Sequence, residues 1–402
     1  MAHSIPALVN SQMLAWAREE AGYTLEQAAE KAHFVIEKLS SWEKGESMPT
    51  LRQAEKLAKI YHRPFSVFSL SQPPMMTPLA AEYRRLPGIT PGKESPELRF
   101  ALRQMIYRRK GALDLLEELG DHPEPFSLNI KMGEAPEQVA ERIRSALGIS
   151  LATQKAWPHE FRAWHSWRMA VENLGALVFQ FSKVNVTEVR GVSLLEFPLP
   201  TIGINTKEIP ASKPFSLLHE LVHVMLARAD EEKPALLETR TQPAWMELER
   251  FAEAVAGAVL MPADAILSEY EVAGKSTTAD WGISEIQTLS RRYKVTPKAM
   301  ITRLLILHRC SPAAYRRWTD AWEEYLKEHP PRPGGGIATP AEKALNRNGR
   351  SFTQLVLEAL THDRITAVDA AHYLDLNFPH IETLRRNLAM ARQFETETVG
   401  VD

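Results

Sequence analysis

Short amphipathic segments separated by turn residues fill the first seventy positions of the chain. Apolar residues recur there at helical spacing, Gly22 and Gly45 stand where two segments stop, and Pro64 introduces the last one. Thr24 and Gln27 have the spacing of a capping box at the start of the second segment. The pattern predicts a compact five-helix domain within residues 1–72, with helices over 14–20, 25–32, 36–43 and 49–60 and a fifth after residue 64.

Strand and helix patterns both occur later in the chain. β-Branched and aromatic residues predict short strands over 174–180, 192–197 and 201–205. Apolar positions at helical period predict helices over 95–119, 136–147, 215–226, 248–260, 284–293, 296–308, 312–325, 365–374 and 381–388. The predicted fold class is therefore α+β and mainly α: a five-helix domain, a domain with a small sheet, and a helical C-terminal region.

Proline-rich stretches mark two joints, at residues 73–78 and 330–336. They predict a first domain over 1–72, a proline-rich joint and helical connector over 73–150, a central domain over 151–329, and a linker with a C-terminal helical domain over 330–402. The two short helices near the C-terminus fit either a second helix-turn-helix or a three-helix packing cap, and the pattern favours the cap.

Composition narrows the class of protein. The chain has 402 residues, which is enough for two to four compact units, and a net charge of −2, which gives no global basic field. Its single cysteine, Cys310, excludes an internal disulfide framework and a cysteine-rich metal cluster. No run of eighteen apolar residues and no signal-like N-terminus are present, so we expect a cytoplasmic protein without a membrane anchor.

The N-terminal helices resemble a known DNA-binding family. Residues 24–30, TLEQAAE, followed by residues 39–50, LSSWEKGESMPT, are similar to the phage-repressor (XRE) helix-turn-helix family. The resemblance implies that the third helix enters the major groove of operator DNA, with Val35, Ile36, Lys38 and Ser41 at its reading positions.

The charge of this domain argues for weak DNA binding. Residues 1–70 contain eight basic and eight acidic side chains, so the domain is neutral, although phosphate neutralisation supplies most non-specific affinity. Two apolar side chains and the acid Glu37 are also a poor set for contacts to guanine or phosphate. The alternative is a helical module that docks a protein, and any operator binding would be helped by a homodimer.

The segment HELVH at residues 219–223 carries the strongest chemical signal. On a helix it places His219 and His223 one turn apart on one face, where both can reach one metal ion. Glu220 lies beside them, where it can take a proton from a water molecule as a general base. This arrangement is half of a catalytic zinc site.

Zinc needs a third protein ligand, and the helix over 248–260 supplies one. Glu249 and Glu253 lie one turn apart on it, among small residues that allow close packing against the HELVH helix. We favour Glu249 as the ligand, with Glu253 as the alternative ligand or as the group that orients a ligand histidine. The other interpretation is that these glutamates, with Glu247, form a solvated helix face.

These motifs together resemble a metallopeptidase family. The order of the strand 201–205, the segment FSLLHELVH at 215–223, Glu249 and an alanine-rich helix ending at Met261-Pro262 is similar to the ImmA/IrrE family over roughly residues 160–310. The resemblance implies zinc held by His219, His223 and Glu249, with Glu220 as general base. We expect the strand 201–205 to lie at a sheet edge, where Gly203 and Asn205 contact an extended peptide by strand addition.

The function indicated is a regulatory zinc-dependent endopeptidase that cleaves or controls a protein partner. The resemblance implies that the partner is a repressor or toxin, possibly encoded by the adjacent gene, in stress, phage or toxin-antitoxin regulation. The alternative is a non-enzymatic transcriptional regulator or antitoxin that uses the peptidase fold for docking or sensing. The intact HExxH motif favours the enzyme.

Overall fold

The protein divides into two compact units in its computed structural model, which describes residues 6–74, 94–233, 242–330 and 338–388. The first unit extends to Gln104 and the second begins at Met105. The described residues are mainly helical and include a three-stranded sheet, which confirms the predicted fold class. Most of the proline-rich joint and most of the later linker lie outside the described residues, and the three predicted boundaries between the four segments stay predictions.

The first unit contains the predicted helix-turn-helix. Its helices are α1 (Ser11–Glu20), α2 (Leu25–Ala32), α3 (Ile36–Glu43) and α4 (Leu51–Ile60). The capping box of Thr24 and Gln27 is present, and Thr50 forms a second one at the start of α4. The predicted fifth helix is a short 3-10 helix, Phe65–Ser69, and Asn10 donates hydrogen bonds to the carbonyls of Phe68 and Leu70 at its end.

Large apolar side chains fix the position of α3 within this unit. Leu39 and Trp42 point inward from α3 and are fully buried, together with Leu14 and Leu57. Arg18 of α1 donates two hydrogen bonds to the Glu43 carboxylate at the end of α3, at 2.8 and 2.9 Å. The inner side of α3 is therefore held by packing and by a partly buried ion pair.

Helices make up most of the second unit. A long helix α5 (Pro96–Leu119) begins in the first unit and ends in the second. The other helices are α6 (Pro136–Leu147), α7 (Leu151–Ala156), α8 (Glu160–Glu172), α9 (Lys213–Arg228), α10 (Gln242–Leu260), α11 (Ala263–Leu267), α12 (Tyr270–Ala273), α13 (Ile283–Tyr293), α14 (Pro297–Ile306), α15 (Pro312–Glu328), α16 (Pro340–Asn348), α17 (Arg350–Thr361) and α18 (Ala367–Leu374). A 3-10 turn, Phe378–His380, and helical residues 381–388 follow.

The sheet has the strands β1 (Leu177–Phe181), β2 (Gly191–Leu194) and β3 (Thr201–Asn205), in the order β1-β3-β2. β3 pairs with β1 in parallel and with β2 in antiparallel orientation. The prediction that residues 201–205 form an edge-like strand is therefore wrong. Since β3 is paired on both sides, its backbone groups are used inside the sheet, and all five of its residues are buried.

One helix, α9, packs against this sheet and against α10. α9 contacts β2, β3 and α10, and nearly all of its residues after Phe215 are buried. α10 contacts both α9 and α6, and its residues Ala252, Ala256 and Ala258 are fully buried. The expected packing of α10 against α9 is present, and the part that its small residues play in it stays a prediction.

The C-terminal helices pack on the same unit through a tight turn between α16 and α17. α16 contacts β1, and the buried Glu172 carboxylate at the end of α8 accepts the backbone N–H groups of Arg350 and Ser351 at 3.2 and 3.4 Å. Gly349 in this turn has φ +78°, and a Cβ there would collide with Glu172 Oε1. These contacts are those of a packing cap on the sheet.

Among the described residues, every helix is too short or too polar to span a bilayer.

Candidate metal centre

The HELVH residues lie in the middle of α9 and face the start of α10. A helix repeats every 3.6 residues, so His219 and His223 project from one side one turn apart. Their Nε2 atoms are 3.1 Å apart. The His223 side chain is fully buried and that of His219 is 13% exposed, so the site opens on the His219 side.

Glu249 of α10 completes the group. Its Oε2 lies 3.2 Å from His219 Nε2, and its Oε1 lies 3.6 Å from His223 Nε2. Ligand atoms of a tetrahedral zinc site with bonds of about 2.05 Å are about 3.3 Å apart. The spacing of 3.1 Å between the two Nε2 atoms, the spacings of 3.2 and 3.6 Å from them to the two oxygens of Glu249, and the donor set of two imidazoles and one carboxylate are compatible with a zinc ion.

The other glutamates of α10 do not join this group. Glu247 and Glu253 are exposed, and among the described residues the metal-binding group of the site consists of His219, His223 and Glu249. Glu253 lies one turn further along α10, about 6 Å away along the axis. The structure therefore favours Glu249 over Glu253 as the ligand. The acid that contacts the ligand histidine His223 is neither of these two residues.

That acid is Glu232, which the sequence reasoning missed. Its Oε2 lies 2.7 Å from His223 Nδ1, and both side chains are fully buried. Glu232 follows α9 in a turn with Asp230 and Glu231, where charged residues are normally solvated. The available signal was the general tendency of a metal-binding histidine to have a carboxylate at its second ring nitrogen.

Strand β2 holds Glu220 from the other side. The buried Ser193 hydroxyl donates a 2.9 Å hydrogen bond to Glu220 Oε2. A Cβ on Gly191 would lie 2.8 Å from Glu220 Cγ, so only glycine leaves room for this carboxylate. Sequence reasoning did not select either residue, because a serine or glycine in a short strand carries no signal of its partner.

Gly203 and Asn205 do not take the predicted role of contacting substrate. Gly203 is paired with Phe179 and Val192 on its two sides. The Asn205 side chain is buried and donates to the carbonyls of Val184 and Val189. Both residues support the sheet, and the prediction failed because β3 is the central strand.

A buried polar network supports the start of α9. Lys213 Nζ donates to Gln180 Oε1 at 2.8 Å, and Gln180 Nε2 donates to the Asn346 carbonyl at the end of α16, also at 2.8 Å. Burial lowers the pKa of Lys213 to about 8, although the nearby Glu208 opposes this effect. The same burial raises the pKa of Glu208, against the hydrogen bonds that it accepts from Ser216 and Ser212.

The predicted DNA-reading residues lie on the outer side of α3. Val35 is 65% exposed and Ile36 is 40% exposed, and Lys38 is exposed with its ammonium near the Trp42 ring. Ser41 is only partly exposed, and its hydroxyl bonds to the Lys38 carbonyl and to Ser47. Three of the four predicted residues are therefore available to a ligand, whereas the Ser41 hydroxyl is already engaged.

Several cations of this unit have acidic partners. Arg18 pairs with Glu43, Lys31 with Glu97, and Arg63 and Arg103 with Glu20. Fewer positive charges are left for phosphate than the sequence count of eight suggests.

The fold and the centre together define a class of protein. A helix with two histidines and an adjacent acid, a downstream glutamate and a small sheet beside them are the features of a metallopeptidase-type domain, here in one chain with a helix-turn-helix. Residues 171–305 match the family model of the IrrE N-terminal-like domain, peptidase M78, and residues 14–68 match the model described as helix-turn-helix. The two resemblances inferred from the sequence are confirmed. No curated protein matches the chain.

Proposed function

We propose that this protein is a zinc-dependent endopeptidase with a regulatory role, which cleaves a protein partner. The observation that carries the proposal is the convergence of His219, His223 and Glu249 with spacings that fit zinc, beside the buried carboxylate of Glu220. The peptidase M78 match over the same residues supports it.

His219, His223 and Glu249 would hold the metal. When bound, zinc supplies Lewis acidity toward a peptide carbonyl and toward water. Glu220 then accepts the proton of the attacking water and delivers it to the leaving amine. Ser193 orients the Glu220 carboxylate for this transfer by its hydrogen bond to Oε2.

We assign the peptide-binding edge to β2 instead of β3. β2 pairs with β3 on one side only, and within the described ranges no strand covers its other edge. Its residues Gly191 and Ser193 touch Glu220, so a peptide that extends the sheet at this edge passes the general base.

Metal content is the first test. Purified protein should carry about one zinc per chain, and His223→Ala should remove it because a ligand is lost. His165→Ala, which changes a histidine of α8 outside the group, is the matched control and should keep the metal. Stoichiometric zinc in His223→Ala would show that the ligand assignment is wrong.

The partner is a second part of the proposal. The helix-turn-helix match supports binding to operator DNA, and the resemblance to the ImmA/IrrE family indicates a repressor or toxin as the substrate, in stress, phage or toxin-antitoxin regulation. The test is co-expression with the product of the adjacent gene, followed by mass analysis of its fragments. Cleavage by wild type and none by Glu220→Gln supports the proposal, whereas an intact partner in both argues for the non-enzymatic regulator.

The non-enzymatic alternative rests on a specific observation. Val35 and Ile36 present apolar surface on a helix-turn-helix whose residues 1–70 carry no net charge, which suits a protein partner better than phosphate. In that case the peptidase fold serves for docking or sensing.

A further inference from the structure

We propose that Glu232 is a positioning residue that fixes the ring of His223 for metal binding. The inference rests on the proposed metal centre. It adds to that centre a residue from the turn after α9, outside the HExxH motif and outside α10.

The first argument is the tautomer of His223. With Glu232 ionised, its carboxylate only accepts hydrogen bonds, and the 2.7 Å contact between Glu232 Oε2 and His223 Nδ1 then requires the ring proton on Nδ1. The lone pair is then on Nε2, the atom that lies near His219 and Glu249. Glu232 thus holds the ring in the form that can bind a metal ion, with its donor atom directed to the site.

The second argument is the burial of Glu232. Its side chain is fully buried, although a buried carboxylate is costly unless a donor or a positive charge compensates it. A cation bound at His223 Nε2 would increase the acidity of the Nδ1 proton and strengthen the contact. The burial of an acid at this position is explained if metal and acid act on opposite sides of one imidazole.

The third argument is the backbone that brings Glu232 there. α9 ends at Arg228, Asp230 takes a left-handed conformation with φ +59°, and Glu231 N donates to the Leu226 carbonyl at 2.9 Å. This helix-ending turn folds the chain back along α9, so that Glu232 reaches a histidine nine positions earlier. The backbone of this turn therefore brings Glu232 into contact with His223.

The two ligand histidines differ in this respect. Among the described residues His219 Nδ1 has no hydrogen-bond partner, whereas His223 Nδ1 has Glu232. We therefore expect His223 to be the pre-organised ligand and His219 to be the adjustable one.

The experiment measures metal affinity and uses no substrate. Zinc is titrated into the metal-free full chain against a chromophoric chelator for wild type, Glu232→Gln, Glu232→Ala and the neighbouring control Glu231→Gln. The loss of a carboxylate that supports a ligand histidine typically weakens metal affinity by about 10- to 100-fold. We expect that loss in Glu232→Ala, a smaller loss in Glu232→Gln, which keeps a neutral acceptor, and no change in Glu231→Gln.

The visible spectrum of bound Co²⁺, measured together with circular dichroism, separates a positioning role of Glu232 from a purely structural one. If Glu232 positions His223, the visible spectrum of bound Co²⁺ should change in Glu232→Gln while the protein stays folded by circular dichroism. Unchanged zinc affinity and an unchanged cobalt spectrum in Glu232→Gln, with wild type binding normally, would overturn the inference. If wild type itself binds no zinc, the proposed metal centre fails first, which is a different outcome.

Discussion

The candidate metal centre and the outer face of α3 differ in how far their candidate functional residues are buried. At the centre, Glu220, His223 and Glu232 are buried, and side chains of other elements fix their orientation. On the outer face of α3, Val35 and Ile36 are exposed. One region is arranged before any ligand arrives, and the other offers a surface whose use depends on the ligand.

This difference determines how narrowly each region restricts the ligand that it can bind. A preformed group of ligand atoms commits the centre to one kind of chemistry, because burying such groups without a ligand or a partner is costly. An exposed helix face buries no polar group in the absence of a ligand, so its sequence is compatible with binding either DNA or a protein. The following predictions test this contrast, from the largest expected effect to the smallest.

Glu220→Gln should have the largest effect. Glutamine keeps the size of the side chain and leaves the metal ligands intact, but it cannot accept a proton, so cleavage should fall at least about a hundredfold. The measurement is the cleavage rate of a protein or peptide that wild type cuts, with zinc content determined in parallel. Glu247→Gln, on the exposed side of α10, is the control and should cleave as wild type does. Equal cleavage rates for wild type and Glu220→Gln would show that Glu220 is not the general base of the reaction.

Leu39→Ala and Ile36→Ala should separate the two sides of α3. Leu39 is fully buried, so its truncation should destabilise the helix-turn-helix by about 2–5 kcal/mol. Ile36 is 40% exposed, and its truncation should change stability by less than about 0.5 kcal/mol. Hydrogen exchange of the α3 amides in the full chain measures both. Comparable acceleration in the two variants would mean that Ile36 is not on a free surface.

Lys213 should give the start of α9 a characteristic pH dependence. Its pKa is about 8 in the folded protein and close to 10.5 when unfolded, because burial disfavours the ammonium form. Between these values the unfolded chain holds a proton that the folded chain lacks, so the free energy of unfolding should rise with pH from about 8 to about 10.5. Denaturant titrations at several pH values should show this rise in wild type and a flatter profile in Lys213→Met. Parallel profiles would mean that the amine is solvated.

DNA binding should show the smallest effects. Because residues 1–70 carry no net charge and several cations are paired internally, we expect a shallow fall of affinity with salt, each phosphate contact contributing about 0.9 to the slope. Lys38→Ala should lower the slope by about one, and Ser41→Ala should leave it unchanged because that hydroxyl is engaged. The measurement is a gel shift on the protein's own promoter and on a scrambled duplex. If neither duplex shifts at micromolar protein, while removal of residues 1–70 abolishes capture of a protein partner, the unit is a docking module.

Local signals in the sequence were enough to predict α2, α3 and the grouping of His219, His223 and Glu249. Capping residues and the spacing of histidines on one helix act over a few positions, so they can be read directly. The pairing order of the strands and the partners of His223 and Glu220 depend on contacts between distant elements. For that reason the sequence wrongly predicts β3 at the sheet edge, and it does not reveal Glu232, Ser193 and Gly191 as neighbours of the site.

The turn at Gly349 has a practical consequence for anyone who wishes to shorten the chain. The Glu172 carboxylate accepts hydrogen bonds from the first backbone N–H groups of α17, and α16 contacts β1. A fragment ending at residue 330 would leave that carboxylate without those donors and would uncover the outer strand of the sheet, which can then pair with another molecule. Such a fragment should precipitate or self-associate, so a peptidase preparation needs the C-terminal helices even if they never touch the substrate.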